Sequence, residues 1–352
     1  MRKLKYIDIA ESLEKDIKTN YNPGDLYLSV SALKEKYNIS LDTINKAVSI
    51  LERKGLLVRI HGKGTFVSEQ EPQKYYNILI LNDFDINIVL QTNYTKEALD
   101  GIYDFVSTKN IKVAFNTTDN IIAQPNIVDE YEGIILLSLQ GNPSNIIRVI
   151  RKSRKYAVSI TNRIEDDLIY NIDTNTVKAM KDILKYLKEK GHRKIGFLVN
   201  GQNCKHYHDS VRSYMYKTYS KEIGLEARDE WIISSDMYLL DKNTLPEIKR
   251  LSKEDGPTAY IISSFEYIRA SFLDRFFSIR HPETSRLSIT GFDIPLELFF
   301  YSEKPTYVKQ NFKELGNEAI KILLDLLENR KTDKLHIVPH DYIKGTTVTE
   351  IR

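Results

Sequence analysis

An α/β fold, with a small helix-turn-helix-wing module ahead of two parallel sheets flanked by helices, is what this 352-residue sequence predicts. Three observations predict it. Residues 26–67 read as helix, tight turn, helix and a glycine-tipped hairpin. From Asn77 onward, short apolar runs alternate with helical periodicity. A polar stretch with one proline, residues 68–76, separates the two patterns and reads as a linker.

The first pattern opens with an amphipathic helix over residues 5–19, with Ile9, Leu13 and Ile17 on one face. Residues 31–37 form a short helix carrying Ala32, Leu33 and Tyr37, and Asn38-Ile39 makes the turn. Ser40 is placed to cap a second helix running to about Lys54, with Ile44, Ala47, Val48 and Leu51 inward. Gly55 stands where a left-handed residue ends that helix. Two apolar runs, 56–58 and 65–67, then flank His61-Gly62-Lys63-Gly64, a hairpin tip with a lysine between two glycines. Together these units make a winged helix-turn-helix, a device that lays one helix in the major groove of DNA.

The second pattern gives strands at 77–81, 111–115, 133–138, 156–160, 194–199, 232–234 and 258–263. Helices are expected at 96–108, 143–151, 175–190, 208–223 and 244–252. Continuous β-branched strands between helices imply parallel sheets covered on both faces. In such sheets ligands sit at the carboxyl ends of the strands, so the loops there are where binding chemistry is sought.

Composition narrows the class. Apolar residues make up 41% and charged residues 28%, as in ordinary globular proteins. The net charge of +3 is unevenly held. Residues 1–70 carry 12 Lys+Arg against 9 Asp+Glu, whereas the remainder carries 39 of each. The excess therefore lies on the proposed DNA module. A single cysteine, Cys204, excludes an intramolecular disulfide framework and fits a reducing cytosol. No stretch approaches the ~20 apolar residues of a membrane span. The basic N-terminus lacks the apolar core of a secretory signal, so a cytoplasmic protein is expected.

Over residues 6–67 the chain resembles the DNA-binding domain of the gluconate-repressor (GntR) family. Tyr6, Ile9-Ala10, Pro23-Gly24-Asp25, Ser29, Leu33, Ser40, Thr43-Ile44, Ala47, Leu51, Gly55-Leu56 and Gly62 with Gly64-Thr65-Phe66-Val67 carry the likeness. The chain departs from the family at Leu28 and Val30, where Pro and Glu are usual, and at Leu41 and Asn45, where arginines are. The resemblance implies DNA contacts from Ser29, Ser40, Thr43, Asn45 and Lys46 at the second helix. The wing residues His61, Gly62, Lys63, Gly64 and Thr65 would reach the adjacent minor groove. Asn45 is the candidate base-edge contact, because an amide pairs bidentately with adenine; a solvated helix position is the plain alternative.

Residues 77–350 resemble the effector domain of the lactose/galactose-repressor (LacI) family and periplasmic sugar-binding proteins. Gly191-His192-Arg193-Lys194-Ile195-Gly196, Gly291-Phe292-Asp293 and Pro305-Thr306 with Val308-Lys309-Gln310 carry it. The combination looks like the arabinose-repressor branch of bacterial sugar regulators. It implies a winged domain over 1–70, a linker over 71–76 and a two-lobed, periplasmic-binding-protein-like domain over 77–352. By analogy, lobe 1 covers about 77–161 and 293–325, and lobe 2 about 163–290 and 330–350. The chain would cross between them near 161–163, 291–293 and 325–330.

Carried over residue by residue, the resemblance implies an effector site of Tyr94, Asn162, Arg163, Arg212, Phe265, Asp293 and Gln310. Charged groups would take vicinal hydroxyls and an aromatic the sugar face. Arg163 and Arg212 fit interlobe ion pairs equally well, and Asp293 a turn cap. Phe265 replaces a carboxylate of the relatives. That implies a less hydroxylated sugar, a pentose or deoxyhexose such as arabinose or fucose, or a ligand outside the sugars, unless Phe265 points into the core. Cys204, His206 and His208 alternate as zinc ligands could, but they follow a strand and lack a fourth donor, so no metal or cofactor is expected.

No P-loop, G-x-S-x-G or H-E-x-x-H is present, which leaves an enzyme without a constellation. The expected partners are palindromic operator DNA, a small effector and a second copy of the chain, with no membrane. The competing reading is a sugar-binding module whose wing contacts protein.

Overall fold

The computed structural model describes residues 5–69, 75–107, 109–137, 139, 142–200, 207–235, 242, 244–253, 255–265, 268–284, 286–294, 298 and 300–351. The chain divides into two compact units, residues 1–78 with 106–113 and residues 79–105 with 114–352. Most of the 71–76 linker lies outside the described residues.

In the first unit, helices α1 (Lys5–Asn20), α2 (Val30–Tyr37) and α3 (Leu41–Arg53) precede strands β1 (Leu57–Ile60) and β2 (Gly64–Val67). Their apolar positions meet in one core of Ala10, Leu13, Ile17, Tyr27, Leu33, Ile44, Ala47, Val48, Leu51, Leu56, Leu57 and Val67. Ser29 caps α2 by accepting from the Ala32 N–H, and Asn38, at φ 47°, closes it. Ser40 caps α3 through the Thr43 N–H, and Gly55 follows at φ 67°. The wing is an antiparallel pair with Leu57 opposite Val67 and Ile60 opposite Gly64. Residue 26 adds a bridge to Phe66, fixed by Tyr27 N–H donating to Thr65 O at 2.8 Å.

Two six-stranded sheets follow. They are built from β3 (Tyr76–Asn82), β4 (Ile111–Thr117), β5 (Gly133–Leu137), β6 (Tyr156–Ile160), β7 (Ile169–Thr174), β8 (Ile195–Asn200), β9 (Ile232–Ser235), β10 (Ala259–Ile262), β11 (Ser288–Phe292), β12 (Thr306–Gln310), β13 (Leu335–Val338) and β14 (His340–Ile343). One sheet runs β13-β7-β6-β5-β3-β4 and defines lobe 1; the other runs β14-β12-β11-β10-β8-β9 and defines lobe 2. β13-β7-β6-β5 and β12-β11-β10-β8-β9 pair in parallel, with β14 antiparallel on β12.

Sheet membership moves all three crossings. The chain leaves lobe 1 after Thr174, returns after Gln310 and leaves again at Pro339, instead of near 161–163, 291–293 and 325–330. The first shift comes from β7, Ile169–Thr174, whose mixed polar sequence gives no apolar run. It is a strand because β6 and β13 pair with it on either side. The second arises because β12 joins β11 in lobe 2, so of the expected 293–325 segment the helix Phe312–Leu327 belongs to lobe 1, packed on β5 and β6. Pro339 alone separates β13 from β14, and lacking an N–H it is suited to a break between sheets. Asn311 Nδ2 donates to Pro339 O at 2.8 Å, tying the second crossing to the third.

Each crossing departs from the carboxyl end of a strand, β7, β12 or β13. The lobes therefore face one another across the carboxyl edges of their sheets. The helix Asn93–Val106 lies hard against the helix Phe312–Leu327. A Cβ on Gly101 would fall 1.9 Å from Lys313 O, and one on Gly316 1.9 Å from Ala98 O, so the approach requires glycine at both.

Candidate functional site

Two clusters of side chains answer to the sequence. The first is the outer face of α3 with the wing. Ser29, Ser40, Lys46, His61, Gly62, Lys63 and Gly64 are exposed, and Thr43 and Asn45 are half-buried. Gly62 and Gly64 have φ of 72° and 119°, and the Lys63 N–H closes the tip on Ile60 O at 3.0 Å. That conformation carries Lys63 on the short loop between β1 and β2, with glycine favoured on both sides of it.

Several of these groups are committed within the module. Ser40 and Thr43 hydroxyls share a hydrogen bond of 2.7 Å. The Lys46 ammonium lies 2.9 Å from the Asp42 carboxylate, a solvent-exposed pair that phosphate can displace at little cost. Arg59 reaches back from β1 to Glu52 at 3.1 Å and donates to the Asn45 amide oxygen at 3.5 Å. Thr65 is a correction: it is only 8% exposed, because alternation in β2 turns it inward between the solvent-facing Gly64 and Phe66. It packs the wing and does not present its side chain at the tip. Because Ser40 supplies the α3 cap, Ser40→Ala should cost about 1 kcal/mol in urea denaturation of the full chain. It should also weaken DNA binding without changing ligand-induced stabilisation.

The second cluster lies on the carboxyl edge between the lobes. From lobe 2, Arg212 is 4% exposed; its Nη1 donates to Ser263 O and its guanidinium lies 3.9 Å from the Phe292 ring centre. Its Nε has no hydrogen-bond partner among the described residues. Burial lowers the Arg212 pKa, and the carboxylates of Asp293, Asp209 and Asp173 oppose that shift. The guanidinium keeps its charge when buried, and these carboxylates offset the cost of taking it out of water.

Asp293 follows β11 at φ 53°, a left-handed conformation that aspartate tolerates. Gln310, ending β12, donates from Nε2 to Asp293 Oδ2 at 2.7 Å and from its backbone N–H to Oδ1 at 3.3 Å. Burial pushes the Asp293 pKa up to about 6, over the opposing pull of Arg212, with Glu97 of lobe 1 adding like-charge repulsion. From lobe 1, Arg163 Nε lies 3.0 Å from Asp173 Oδ2. Burial still raises the Asp173 pKa, because desolvation outweighs this half-exposed partner. The cluster thus holds donors and acceptors in excess of one another's needs, which suits a ligand bearing several hydroxyls.

The expected effector residues divide accordingly. Arg163, Arg212, Asp293 and Gln310 meet in the cluster. Tyr94 sits beside the second crossing, its ring 5.5 Å from that of Phe312. Asn162 is spent elsewhere: its amide accepts from Leu139 N–H and donates to Leu139 O, both at 2.9 Å, clamping the loop after β5. The preceding Thr161, a β-branched residue at φ 70°, is held there by its N–H on Ile172 O.

Phe265 is a clear correction. It is fully buried with Trp231, Phe272 and Leu298 in the lobe 2 core, because the short turn after β10 carries it back under the sheet. The inference of a less hydroxylated ligand from Phe265 falls with it. Asp173, Asp209 and Glu97 were missing from the expected set; recognising β7 as a strand would have placed Asp173 at a carboxyl end.

A depression of about 1010 Å³ lies at the amino ends of β7 and β13, with Arg163 of the cluster in its lining. Two of its cations are engaged by its own lining. Arg151 pairs with Asp166, and Lys334 donates to the carbonyls of Asp166, Asp167 and Ile169. Cys204 and His206 lie outside the described residues, as does the His208 side chain. Among the described residues no group of three or more His, Cys, Asp or Glu is placed to hold a metal ion. No helix among them is long and apolar enough to cross a membrane.

Comparison with known proteins gives the same two parts. Residues 5–67 match the model of the bacterial regulatory proteins, gntR family, and residues 184–348 that of the periplasmic binding protein-like domain. The arabinose metabolism transcriptional repressor of Halalkalibacterium halodurans is 25% identical over 329 residues, 87% of this chain and 84% of that protein. The repressor of the same name from Geobacillus stearothermophilus is 21% identical over 94% of this chain and 93% of its own length. Among solved structures, a LacI transcriptional regulator from Bacillus cereus subsp. cytotoxis superposes with a TM-score of 0.65 at 22% identity, covering 78% of this chain and 98% of that one. The lac repressor dimer bound to operator and an anti-inducer gives 0.64 at 14% identity, covering 78% and 95%. At these identities the structural likeness speaks for the fold.

Proposed function

We infer that this chain, a gntR-family helix-turn-helix domain joined to a periplasmic-binding-protein-like domain, is a DNA-binding transcriptional regulator whose operator affinity a monosaccharide controls. It is not an enzyme: its relatives and structural neighbours are transcriptional regulators. The sugar is the finer part of the reading. Two relatives matched along most of their length are named for arabinose metabolism, which makes arabinose the first candidate. The observation that carries it is the edge cluster, where Arg212 keeps an unpartnered Nε beside Asp293 and Gln310. A sugar hydroxyl would accept from the guanidinium while donating to the carboxylate, and an analogue lacking it would leave both unpaired.

Regulation follows by linkage. A ligand held by groups from both lobes favours the arrangement in which they are nearest, and differential affinity for two arrangements is what shifts an equilibrium. A cytoplasmic homodimer on a palindromic operator is the assembly this reading carries, with two α3 helices in half-sites a helical turn or a multiple apart.

The test is a thermal-shift screen of the full chain against pentoses, hexoses, deoxyhexoses and their phosphates, with Asp293→Ala beside it. Ligand bound only by the folded protein raises stability as RT ln(1 + [L]/Kd). One sugar should raise the melting temperature in the parent and leave Asp293→Ala unmoved. If every sugar leaves the parent unmoved, the monosaccharide reading fails.

A further inference from the structure

The groups on the outer face of α3 are not equally free to read DNA. Ser40 and Thr43 bond each other, Lys46 pairs with Asp42, and Arg59 is bound to Glu52 and Asn45. Between them, Leu41 opens α3 and is 48% exposed. The first turn of a helix favours acidic and polar side chains, which complement its positive end. A large apolar side chain left in solvent there has no packing role within the module.

Asn45 lies one turn further along the same face, about 6 Å by helical rise, a span comparable with one or two base steps. Its amide oxygen faces the Arg59 guanidinium at 3.5 Å. Because Arg59 donates to the oxygen, the Asn45 amide nitrogen points the other way. The oxygen keeps a second lone pair, so the amide can still accept from one base group while donating to another.

We propose that Leu41 and Asn45 form one reading unit for neighbouring A·T pairs, in which Leu41 covers the C5-methyl of a thymine and Asn45 takes the N6 and N7 edge of an adenine. In the major groove only thymine offers a methyl group to an apolar side chain, and only adenine offers the donor-acceptor pair that fits an amide. Guanine would set a second acceptor, O6, against the amide oxygen, and cytosine a donor against a leucine. Arg59 is the positioning residue: its bonds to Glu52 and Asn45 set the amide before DNA arrives. This specificity rests on the regulator reading, and the experiment separates the two.

The full-length protein is used to select binding sites from a random-sequence duplex library, and the selected duplex is remade with deoxyuridine at each thymine in turn. Uracil keeps thymine's pairing and loses only the methyl. One substitution per half-site should weaken binding roughly three- to fivefold, the change expected for withdrawing one methyl from an apolar contact. Leu41→Ala should lose a similar factor on the thymine duplex and become indifferent to that uracil. Asn45→Ala should relax the selected adenine beside it, and Leu41→Arg should move the preference at the thymine to guanine. A selected site whose uracil duplexes all bind like the parent overturns the proposal and leaves the regulator reading standing. So does a Leu41→Ala variant that keeps the full uracil effect. A protein that selects no sequence overturns both.

Discussion

Replacing Arg212 with methionine lowers the stability of the ligand-free protein by about 3 kcal/mol at pH 8, and by much less at pH 4. The guanidinium is the positive charge that acts on buried Asp293, and it also bears on Asp173. Methionine fills much of its volume but leaves Asp293 without a counter-charge beside Glu97, while Asp173 keeps Arg163. The sign of the pH effect follows from Asp293, whose pKa rises from 3.8 to about 6 on folding. Between those values the folded chain holds a proton that the unfolded chain has released. Stability from this group is therefore full below about pH 4 and lost as pH rises through about 6. Without Arg212 the folded pKa climbs further, so the loss steepens and extends to higher pH. Urea midpoints at pH 4 and pH 8 measure it. Equal losses at both would show that Arg212 acts through packing alone.

Leu51→Ala should abolish DNA binding while leaving the effector domain able to bind its ligand. Leu51 is fully buried on the inner face of α3, within the core shared by α1, α2 and the wing. Truncating a leucine in such a site costs about 3 kcal/mol, from lost burial plus the cavity left behind. A module of this size has little stability to spare. The variant should give no operator binding by fluorescence anisotropy, yet retain the sugar-induced rise in melting temperature. Unchanged operator affinity would mean that α3 is held in place by something other than this core.

The parts of the fold that were legible in the sequence share one property: the signal is local. The Ser40 cap, the left-handed Gly55 and the hairpin tip at Gly62-Lys63-Gly64 are each set by a few neighbouring residues, and each stands in the structure as expected. The crossings were not legible, because whether 169–174 is a strand depends on β6 and β13, the latter more than 160 residues away in the chain. Site residues divide the same way. Asp293 and Gln310 end consecutive parallel strands, so their meeting follows from topology. Phe265 and Asn162 also follow strands, but the direction of a loop side chain is decided by what packs beneath it. For Phe265 that is the lobe 2 core; for Asn162 it is the backbone of Leu139.

The central claim is that ligand in the interlobe cluster controls the affinity of α3 for DNA. It is tested most directly by fluorescence anisotropy of the selected operator duplex with the full-length protein, titrated with and without the sugar identified by thermal shift. The account predicts that saturating sugar changes the operator Kd about tenfold or more, within the usual range of allosteric coupling. It predicts that Asp293→Ala binds the same duplex with the parent's sugar-free Kd and does not respond. A sugar that stabilises the protein yet leaves the operator Kd unchanged would contradict it.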